Sequence, residues 1–263
     1  MQDLNFYLKE LRLLKDSPNI EQLLRELENK EDKQETVRSI VTEVLASIWQ
    51  YRQDKKLVTW TTTACFPKRF LRLPFNIQQA NIPHKSAEEF LRCEWISRSE
   101  NILMCGASGL GKTHFSVAIG QQAIAKGYRT RFVTASKLFK ELGKAVQMAL
   151  PIYERKLQSL DGVDLLIIDD MGNGSVPIDS GSYFYEIMDR RHDKGLSTII
   201  TTNKMVSSWG AALGDSTSVR AGLDRFLEFA YKLKFTGKSL RLESFNKRNK
   251  TNIQNCTDAI TRD

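Results

Sequence analysis

From residue 101 onward the chain alternates short apolar segments with longer segments of helical period, and this alternation constrains its fold more than any other feature. Parallel strands need crossover connections, usually helices, and are buried on both faces. The pattern therefore predicts an α/β fold with a central parallel sheet flanked by helices, in which ligands bind beyond the carboxyl ends of the strands. The expected strands are Ile102–Cys105, Arg129–Val133, Asp164–Ile168 and Ser197–Thr202, and the expected helices are Thr113–Lys126, Ser136–Met148 and Ser180–Lys194.

The residues between the first strand and the first helix fit the phosphate-binding pattern GxxxxGK[ST]. Glycines let backbone amides turn toward phosphate oxygens, and the helix amino terminus adds a positive partial charge. In this pattern Lys112 reaches the β and γ phosphates of a nucleotide, and the hydroxyl of Thr113 binds Mg²⁺. His114, next in the chain, is expected beside the nucleotide in a structural rather than an acid–base role. The motif consists of Gly106, Ala107, Ser108, Gly109, Leu110, Gly111, Lys112 and Thr113.

Two later strand ends carry polar side chains that suit the same nucleotide. Asp169 and Asp170 end the strand that begins at Asp164, and Asn203 follows the strand at Ser197–Thr202. Asp169 is expected to hold Mg²⁺ through water, and Asp170 to polarise an attacking water. Asn203 can orient that water, which favours a nucleotide-hydrolysing switch protein over a small P-loop kinase.

Residues 1–58 predict a small helical N-terminal domain. They carry Leu, Ile and Val at helical spacing among dense charges, with one break at Asp16–Asn19. The apolar stripe is typical of internal packing, and a groove for a partner is the alternative. At the other end of the chain, residues 246–263 predict a polar tail.

The net charge of +8 at pH 7 favours a polyanionic partner, and it is unevenly placed. Acidic residues outnumber basic ones in residues 1–51, so the surplus lies further along the chain. A basic linker with interleaved aromatic residues is predicted over 59–85, either as a DNA contact or as a solvated connector. The candidate DNA contacts are Lys68 and Arg69 in this linker, and Lys137 and Lys140 after the second strand, where a solvated face is the alternative.

Several classes of protein are disfavoured by the sequence. No apolar stretch approaches the roughly 18 residues of a membrane span, and the start of the chain is mixed in charge, so a cytoplasmic protein is expected. The 4 cysteines and 3 histidines show no metal-ligand spacing. Neither a disulfide framework nor a zinc site is therefore predicted.

Six segments of the chain resemble the IstB family, the ATP-binding helper proteins of insertion-sequence transposons. That family is related to the DnaC and DnaI helicase loaders within the AAA+ class. The resemblance covers residues 60–245 most strongly. The six segments are residues 95–106, 109–120, 165–172, 197–210, 223–229 and 235–242.

The resemblance implies an AAA+ ATPase domain at 86–245 that binds ATP and Mg²⁺, assembles as a ring or spiral on duplex DNA, and stimulates a partner transposase. It identifies residues 106–113 as Walker A, Asp169 and Asp170 as Walker B, and Asn203 as sensor 1. Arg225 matches an arginine finger supplied to a neighbouring protomer, and Arg241 matches a sensor 2 type arginine.

Two other readings stay open. One is a replicative helicase loader that acts on single-stranded DNA. The other is a nucleotide-gated DNA-binding scaffold with little hydrolysis, because Asp170 stands where AAA+ proteins commonly carry Glu, whose side chain is one methylene longer.

Overall fold

The structure is a computed structural model that describes residues 4–11, 22, 25, 34–79, 81–214, 216–243 and 245–246. The chain divides into two compact units, residues 1–59 and 60–263. The predicted break at Asp16–Asn19 lies outside the described residues, as does the predicted tail beyond residue 246.

The first unit is helical, as predicted, wherever the structure describes it. Helix α1 covers Leu4–Glu10 and helix α2 covers Gln34–Thr63. Leu4 and Leu8 are one helical turn apart and pack against two residues of α2 that are also four positions apart. These are Val41 and Leu45. The apolar spacing in this unit therefore serves internal packing at these positions.

The second unit contains one sheet of five parallel strands, in the order β2-β3-β4-β1-β5. The predicted parallel sheet is confirmed, and the four predicted strands lie within a few residues of their expected bounds. The strands are β1 (Asn101–Cys105), β2 (Thr130–Thr134), β3 (Leu165–Met171), β4 (Ser197–Thr202) and β5 (Ala230–Lys234).

Strand β5 was not predicted, and its place in the sheet explains why. It pairs with β1 alone and lies at the edge, so Tyr231 and Lys232 are exposed. An edge strand lacks the continuous apolar run that marks a strand buried on both faces. By contrast, four consecutive residues of β3, Leu165 to Ile168, are completely buried.

Helices cover the second unit and connect its strands. Two helices connect β2 to β3, and the second, Leu150–Asp161, was not predicted and carries Pro151 in its first turn. Two short helices, His84–Leu91 and Glu94–Ser97, lie on either side of Cys93, which adopts a positive φ of 57°. The helices are α3 (Lys68–Leu71), α4 (His84–Leu91), α5 (Glu94–Ser97), α6 (Lys112–Ala125), α7 (Ala135–Met148), α8 (Leu150–Asp161), α9 (Ser180–Asp193), α10 (Trp209–Leu213) and α11 (Ser216–Leu227).

The segment predicted as a basic linker belongs largely to the second unit. The backbone amide of Phe132 donates to the carbonyl of Ala64 at 2.7 Å, and Phe66 is buried. A Cβ added to Gly120 on α6 would lie 2.7 Å from the Phe66 ring, so helix and ring are in close contact. Phe66 therefore anchors this basic segment to the core.

A buried arginine holds the amino-terminal ends of β3 and β4 together. Arg191 on α9 is 1% exposed, and burial lowers the pKa of its guanidinium to about 9. Its nitrogens donate only to oxygens of neutral groups, which offset part of the cost of burying the charge. The acceptors are the carbonyls of Leu160, Val163, Asp164 and Ser197 and the hydroxyl of Thr198.

In the described part of the chain, no helix combines the length and apolar character that crossing a membrane requires.

Candidate nucleotide site

The phosphate loop lies between β1 and α6 and packs tightly against the segment that follows β5. Gly109 and Gly111 have φ angles of 84° and 92°, which favour glycine. A Cβ on Gly109 would lie 2.2 Å from the Ser239 hydroxyl oxygen. The amide of Leu240 donates to the carbonyl of Gly109 at 3.0 Å. The glycines are therefore needed for close packing as well as for the turn of the loop.

The lysine of the motif points back into the loop. Nζ of Lys112 donates to the carbonyls of Gly106 at 2.7 Å and Ala107 at 2.8 Å, and the residue is 7% exposed. Burial lowers the pKa of Lys112, while the negative charges of Asp170 and Asp169 act in the opposite direction. Phosphate oxygens could replace the two carbonyls as acceptors.

Asp169 is buried and joins the phosphate loop to β4 through hydrogen bonds. Its Oδ1 accepts from Thr113 Oγ1 at 2.9 Å and from Thr201 Oγ1 at 2.6 Å. Burial raises the pKa of Asp169, and the hydrogen bonds from the two threonines lower it. A threonine hydroxyl beside a carboxylate is a pair of hard oxygen ligands, so Thr113 and Asp169 fit Mg²⁺. Thr201 was not predicted, although a hydroxyl one residue before the end of β4 was the available signal.

Asp170 has a different environment from its neighbour. It is exposed, has a φ of 65°, and lies at a register shift between Ile168 and Met171. The left-handed conformation costs a residue other than glycine about 1 to 2 kcal/mol. Its amide donates to Thr201 Oγ1 at 3.0 Å. Bulges of this kind turn side chains toward active sites.

Asn173 connects two of the predicted site residues. Its Nδ2 donates to Asp170 Oδ1 at 2.9 Å and to Asn203 Oδ1 at 2.7 Å. Asn173 was not predicted from the sequence. The signal available was an asparagine between Gly172 and Gly174, directly after the strand that carries both aspartates.

One cavity of about 770 Å³ brings most of the predicted nucleotide residues together. Of the Walker A loop, Gly106, Ala107 and Leu110 do not line it. The predicted residues that line it are Ser108, Gly109, Gly111, Lys112, Thr113, His114, Asp169, Asp170, Asn203 and Arg241.

Residues of the predicted linker also line this cavity. Arg69, Phe70 and Leu73 line it, whereas Lys68 does not. His114 stacks on Phe70 at 5.1 Å between ring centroids, and its Nε2 lies 2.9 Å from the carbonyl oxygen of Leu73. The Arg69 guanidinium carbon lies 4.5 Å from the Phe70 ring centroid. Arg69, predicted as a DNA contact, is therefore placed beside the nucleotide cavity.

Arg225 does not line the described cavity. It lies in the last turn of α11, where its Nε donates to Asp189 Oδ1 at 3.1 Å. The hydrogen bond and charge of Asp189 raise the pKa of Arg225. The guanidinium is therefore paired with a carboxylate of its own chain.

Lys137 and Lys140 lie on α7 and line a separate groove of about 420 Å³, together with Lys144. Glu141 is in the same groove, 3.8 Å from Lys137 Nζ and 2.7 Å from Lys156 Nζ. The charge of this groove is therefore positive but partly neutralised.

The parallel sheet, the phosphate loop after β1, and the polar residues at the ends of β3 and β4 define a P-loop nucleotide-binding protein. The chain belongs to the family of IstB-like ATP binding proteins, whose model matches residues 8–249. The resemblance found in the sequence is thereby confirmed.

Two relatives are named as ATP-binding proteins of insertion sequences. The chain is 31% identical over 249 residues to the ATP-binding protein of IS21 from Pseudomonas aeruginosa. This match covers 94% of this chain and 91% of the relative. It is 37% identical over 164 residues to the ATP-binding protein of IS5376 from Geobacillus stearothermophilus. That match covers 62% of this chain and 64% of the relative, so the chain spans less than two thirds of the length of that protein.

Two solved structures have the same fold. The DnaC helicase loader matches with a TM-score of 0.53 at 20% identity, over 65% of this chain and 100% of that one. DnaI matches with a TM-score of 0.52 at 22% identity, over 65% of this chain and 95% of that one.

Proposed function

We propose that this protein is a cytoplasmic Mg²⁺-dependent ATPase that assembles on duplex DNA in its ATP-bound state and stimulates the transposase of an insertion sequence. The observation that carries the proposal is the contact of Thr113 with the buried carboxylate of Asp169, at 2.9 Å, beside the phosphate loop. The insertion-sequence names of the relatives support the transposase as partner.

ATP binding uses the groups of the phosphate loop. Lys112 exchanges the carbonyls of Gly106 and Ala107 for β and γ phosphate oxygens, while loop amides and the amino terminus of α6 donate to the same phosphates. Thr113 and Asp169 hold Mg²⁺, which when bound supplies positive charge against the phosphate oxygens.

Hydrolysis uses the side chains around the cavity. Asp170 polarises the attacking water, and Asn203 orients it. Arg241 of the same chain and Arg225 of a neighbouring protomer stabilise the charge of the transition state, because a guanidinium is a permanent planar cation. To reach the nucleotide of a neighbouring protomer, the Arg225 guanidinium must leave Asp189, with which it pairs at 3.1 Å.

The base end of the nucleotide lies against the linker residues that line the cavity. Phe70 and His114 offer a stacked aromatic pair there, and Arg69 covers the Phe70 ring. We therefore assign Arg69 to the nucleotide rather than to DNA. Lys68, outside the cavity, keeps its predicted DNA role.

Duplex DNA contacts the groove on α7. Lys137 and Lys140 bind phosphates there, which gives little sequence selectivity and a steep dependence on salt. Their position is separate from the nucleotide cavity, so DNA and ATP occupy the chain together.

Three measurements test this function: ATP hydrolysis with and without duplex DNA, ATP affinity, and electron microscopy with duplex DNA and a non-hydrolysable ATP analogue. We expect DNA-stimulated hydrolysis, lowered about 100-fold or more by Asp170→Asn with ATP affinity retained, and ordered filaments, rings or spirals on the DNA. Stronger stimulation by single-stranded DNA would favour a helicase loader. ATP-dependent DNA binding with turnover unchanged by Asp170→Asn would favour the scaffold and remove Asp170 from catalysis.

A further inference from the structure

Asn173 lies between two side chains of the site and contacts both through one nitrogen. Nδ2 is 2.9 Å from Asp170 Oδ1 and 2.7 Å from Asn203 Oδ1. The three residues come from different places: Asp170 from β3, Asn173 from the turn after it, and Asn203 from the end of β4. All three line the nucleotide cavity.

The chemistry of these groups determines how both amides are oriented. An ionised carboxylate only accepts hydrogen bonds, so Asn173 must turn its NH₂ group toward Asp170. The same NH₂ group faces Asn203, which must then present its carbonyl oxygen. The NH₂ group of Asn203 is consequently left to donate toward the cavity.

We infer that Asn173 is a positioning residue for ATP hydrolysis, which holds the Asp170 carboxylate and sets the orientation of the Asn203 amide together. This inference rests on the proposed function. Without Asn173, the Asp170 carboxylate loses the one side-chain donor seen for it in the described residues. Asn203 is then free to rotate its amide and present its carbonyl oxygen, an acceptor, to the phosphate.

The backbone around Asp170 explains why such a contact is needed. The register shift between Ile168 and Met171 and the φ of 65° at Asp170 turn this side chain out of the regular pleat of β3. Asp170 is exposed, so the sheet itself does not pack around its carboxylate. A hydrogen bond from the next turn is the means of holding it.

The test compares full-length Asn173→Ala with wild type and with Ser175→Ala. Ser175 is exposed on the same turn, and its side chain is not part of the contact. Steady-state ATP hydrolysis with duplex DNA gives kcat and KM, and titration with a fluorescent non-hydrolysable ATP analogue gives ground-state affinity. We expect Asn173→Ala to lower kcat about tenfold or more, with analogue affinity within about twofold of wild type. Ser175→Ala is expected to match wild type.

Two double variants test whether Asn173 acts on kcat through Asn203 and Asp170. Asn173→Ala combined with Asn203→Ala, or with Asp170→Asn, is expected to lower kcat by much less than the product of the single effects, because the residues act as one unit. Asn173→Asp is expected to lower kcat further than Asn173→Ala, because it places a second carboxylate against Asp170.

Distinct results would overturn the inference. A kcat within twofold of wild type for Asn173→Ala, a parallel loss of analogue affinity, or independent effects in the double variants would each do so. In these cases a wild-type chain that hydrolyses ATP and an inactive Asp170→Asn variant would leave the proposed function intact. A wild-type chain without ATPase activity would remove the proposed function and this inference with it.

Discussion

Asp169 and Asp170 are adjacent in the chain and chemically identical, yet their surroundings differ in burial and hydrogen bonding. Asp169 is 7% exposed and accepts from two threonine hydroxyls, which suits a fixed position beside a cation. Asp170 is exposed, is turned by a positive φ, and faces the cavity. The strand period of two makes neighbouring side chains point apart. The register shift then determines where the second one lies.

Arg191 offers a test of stability at the scale of one residue. Arg191→Ala removes a donor from four carbonyls at the base of the sheet, of which only that of Asp164 has a second donor shown, the amide of Ser197. Each buried unsatisfied group costs about 1 to 3 kcal/mol, so we expect the free energy of unfolding to fall by at least about 3 kcal/mol. Denaturant unfolding measures it. Arg155→Ala, an exposed arginine on α8, serves as the control and should change stability little. A similar small change for Arg191→Ala would show that water replaces the guanidinium.

The cysteines offer a test of pH dependence. Burial raises the pKa of the Cys93 thiol to about 11, whereas Cys65 is exposed. The thiolate is the reactive form, so at pH 8 iodoacetamide should alkylate Cys65 well before Cys93 in the native chain. Alkylation of Cys93 should increase only as the pH approaches 11 or when the chain unfolds. Peptide mass spectrometry measures both sites, and equal rates at pH 8 would contradict the burial of Cys93.

At the scale of elements, contacts between segments that are distant in sequence shape the phosphate loop. The segment after β5 packs on Gly109 through Ser239 and donates to it through Leu240. Asn81 donates to the carbonyls of Leu110 at 3.2 Å and Lys238 at 3.4 Å, so it joins this segment to the loop. The motif specifies a loop that can bind phosphate, and these neighbours hold it in one conformation.

The contact of Phe66 with α6 is tested by changing both partners. Gly120→Val places new methyl groups against the Phe66 ring, where even a Cβ would lie at 2.7 Å, and we expect a loss of about 2 kcal/mol in unfolding free energy. Phe66→Leu vacates part of that space, so the double variant should be less destabilised than the sum of the two single variants. Thermal and denaturant unfolding measure the effect, with Gln122→Ala on the exposed side of α6 as control. Strictly additive losses would indicate that the two residues do not share the space.

At this scale the sequence predicted the elements that carry strong periodic signals and missed those that do not. The apolar run of β3 and the amphipathic pattern of α7 identified both in advance. Strand β5 was missed, because AYKLK is too polar to resemble a buried strand and its pairing with β1 is a long-range contact. The packing of Phe66 was missed for the same reason, since a basic segment with isolated aromatic residues carries no periodic signal.

At the scale of the whole molecule, the position of Arg225 outside the described cavity leads to a test by mixing. Arg225→Ala and Asp170→Asn should each hydrolyse ATP poorly when alone. Mixed in equal amounts and allowed to assemble on duplex DNA, they should recover about a quarter of the wild-type rate, because one interface in four joins an intact Asp170 to an intact Arg225. A mixture that assembles and remains inactive would show that Arg225 is not supplied between protomers. Electron microscopy of the mixture on duplex DNA checks that it assembles, and Asp170→Asn mixed with Lys112→Ala, in which no protomer has a complete site, should remain inactive.

DNA binding by the α7 groove is tested by its dependence on salt. Each lysine–phosphate contact contributes about 0.9 to the slope of log affinity against log salt, so Lys137→Ala with Lys140→Ala should reduce that slope by about 2. Fluorescence anisotropy with duplex DNA and saturating ATP analogue measures it. Lys85→Ala removes an exposed lysine outside the groove and should leave the slope unchanged. An unchanged slope in the double variant would exclude this groove from the DNA contact.

The sequence by itself determined the chemistry of this protein: the phosphate loop, the paired aspartates, Asn203 and the parallel sheet that carries them. These features depend on local pattern, because adjacent residues and the period of apolar side chains set them. The tertiary structure alone decided which further residues lie at the site, among them Thr201, Asn173 and Phe70, and it placed Arg69 against the cavity. Those assignments depend on contacts between segments that are far apart in the chain. The local sequence pattern does not show which distant segments come into contact.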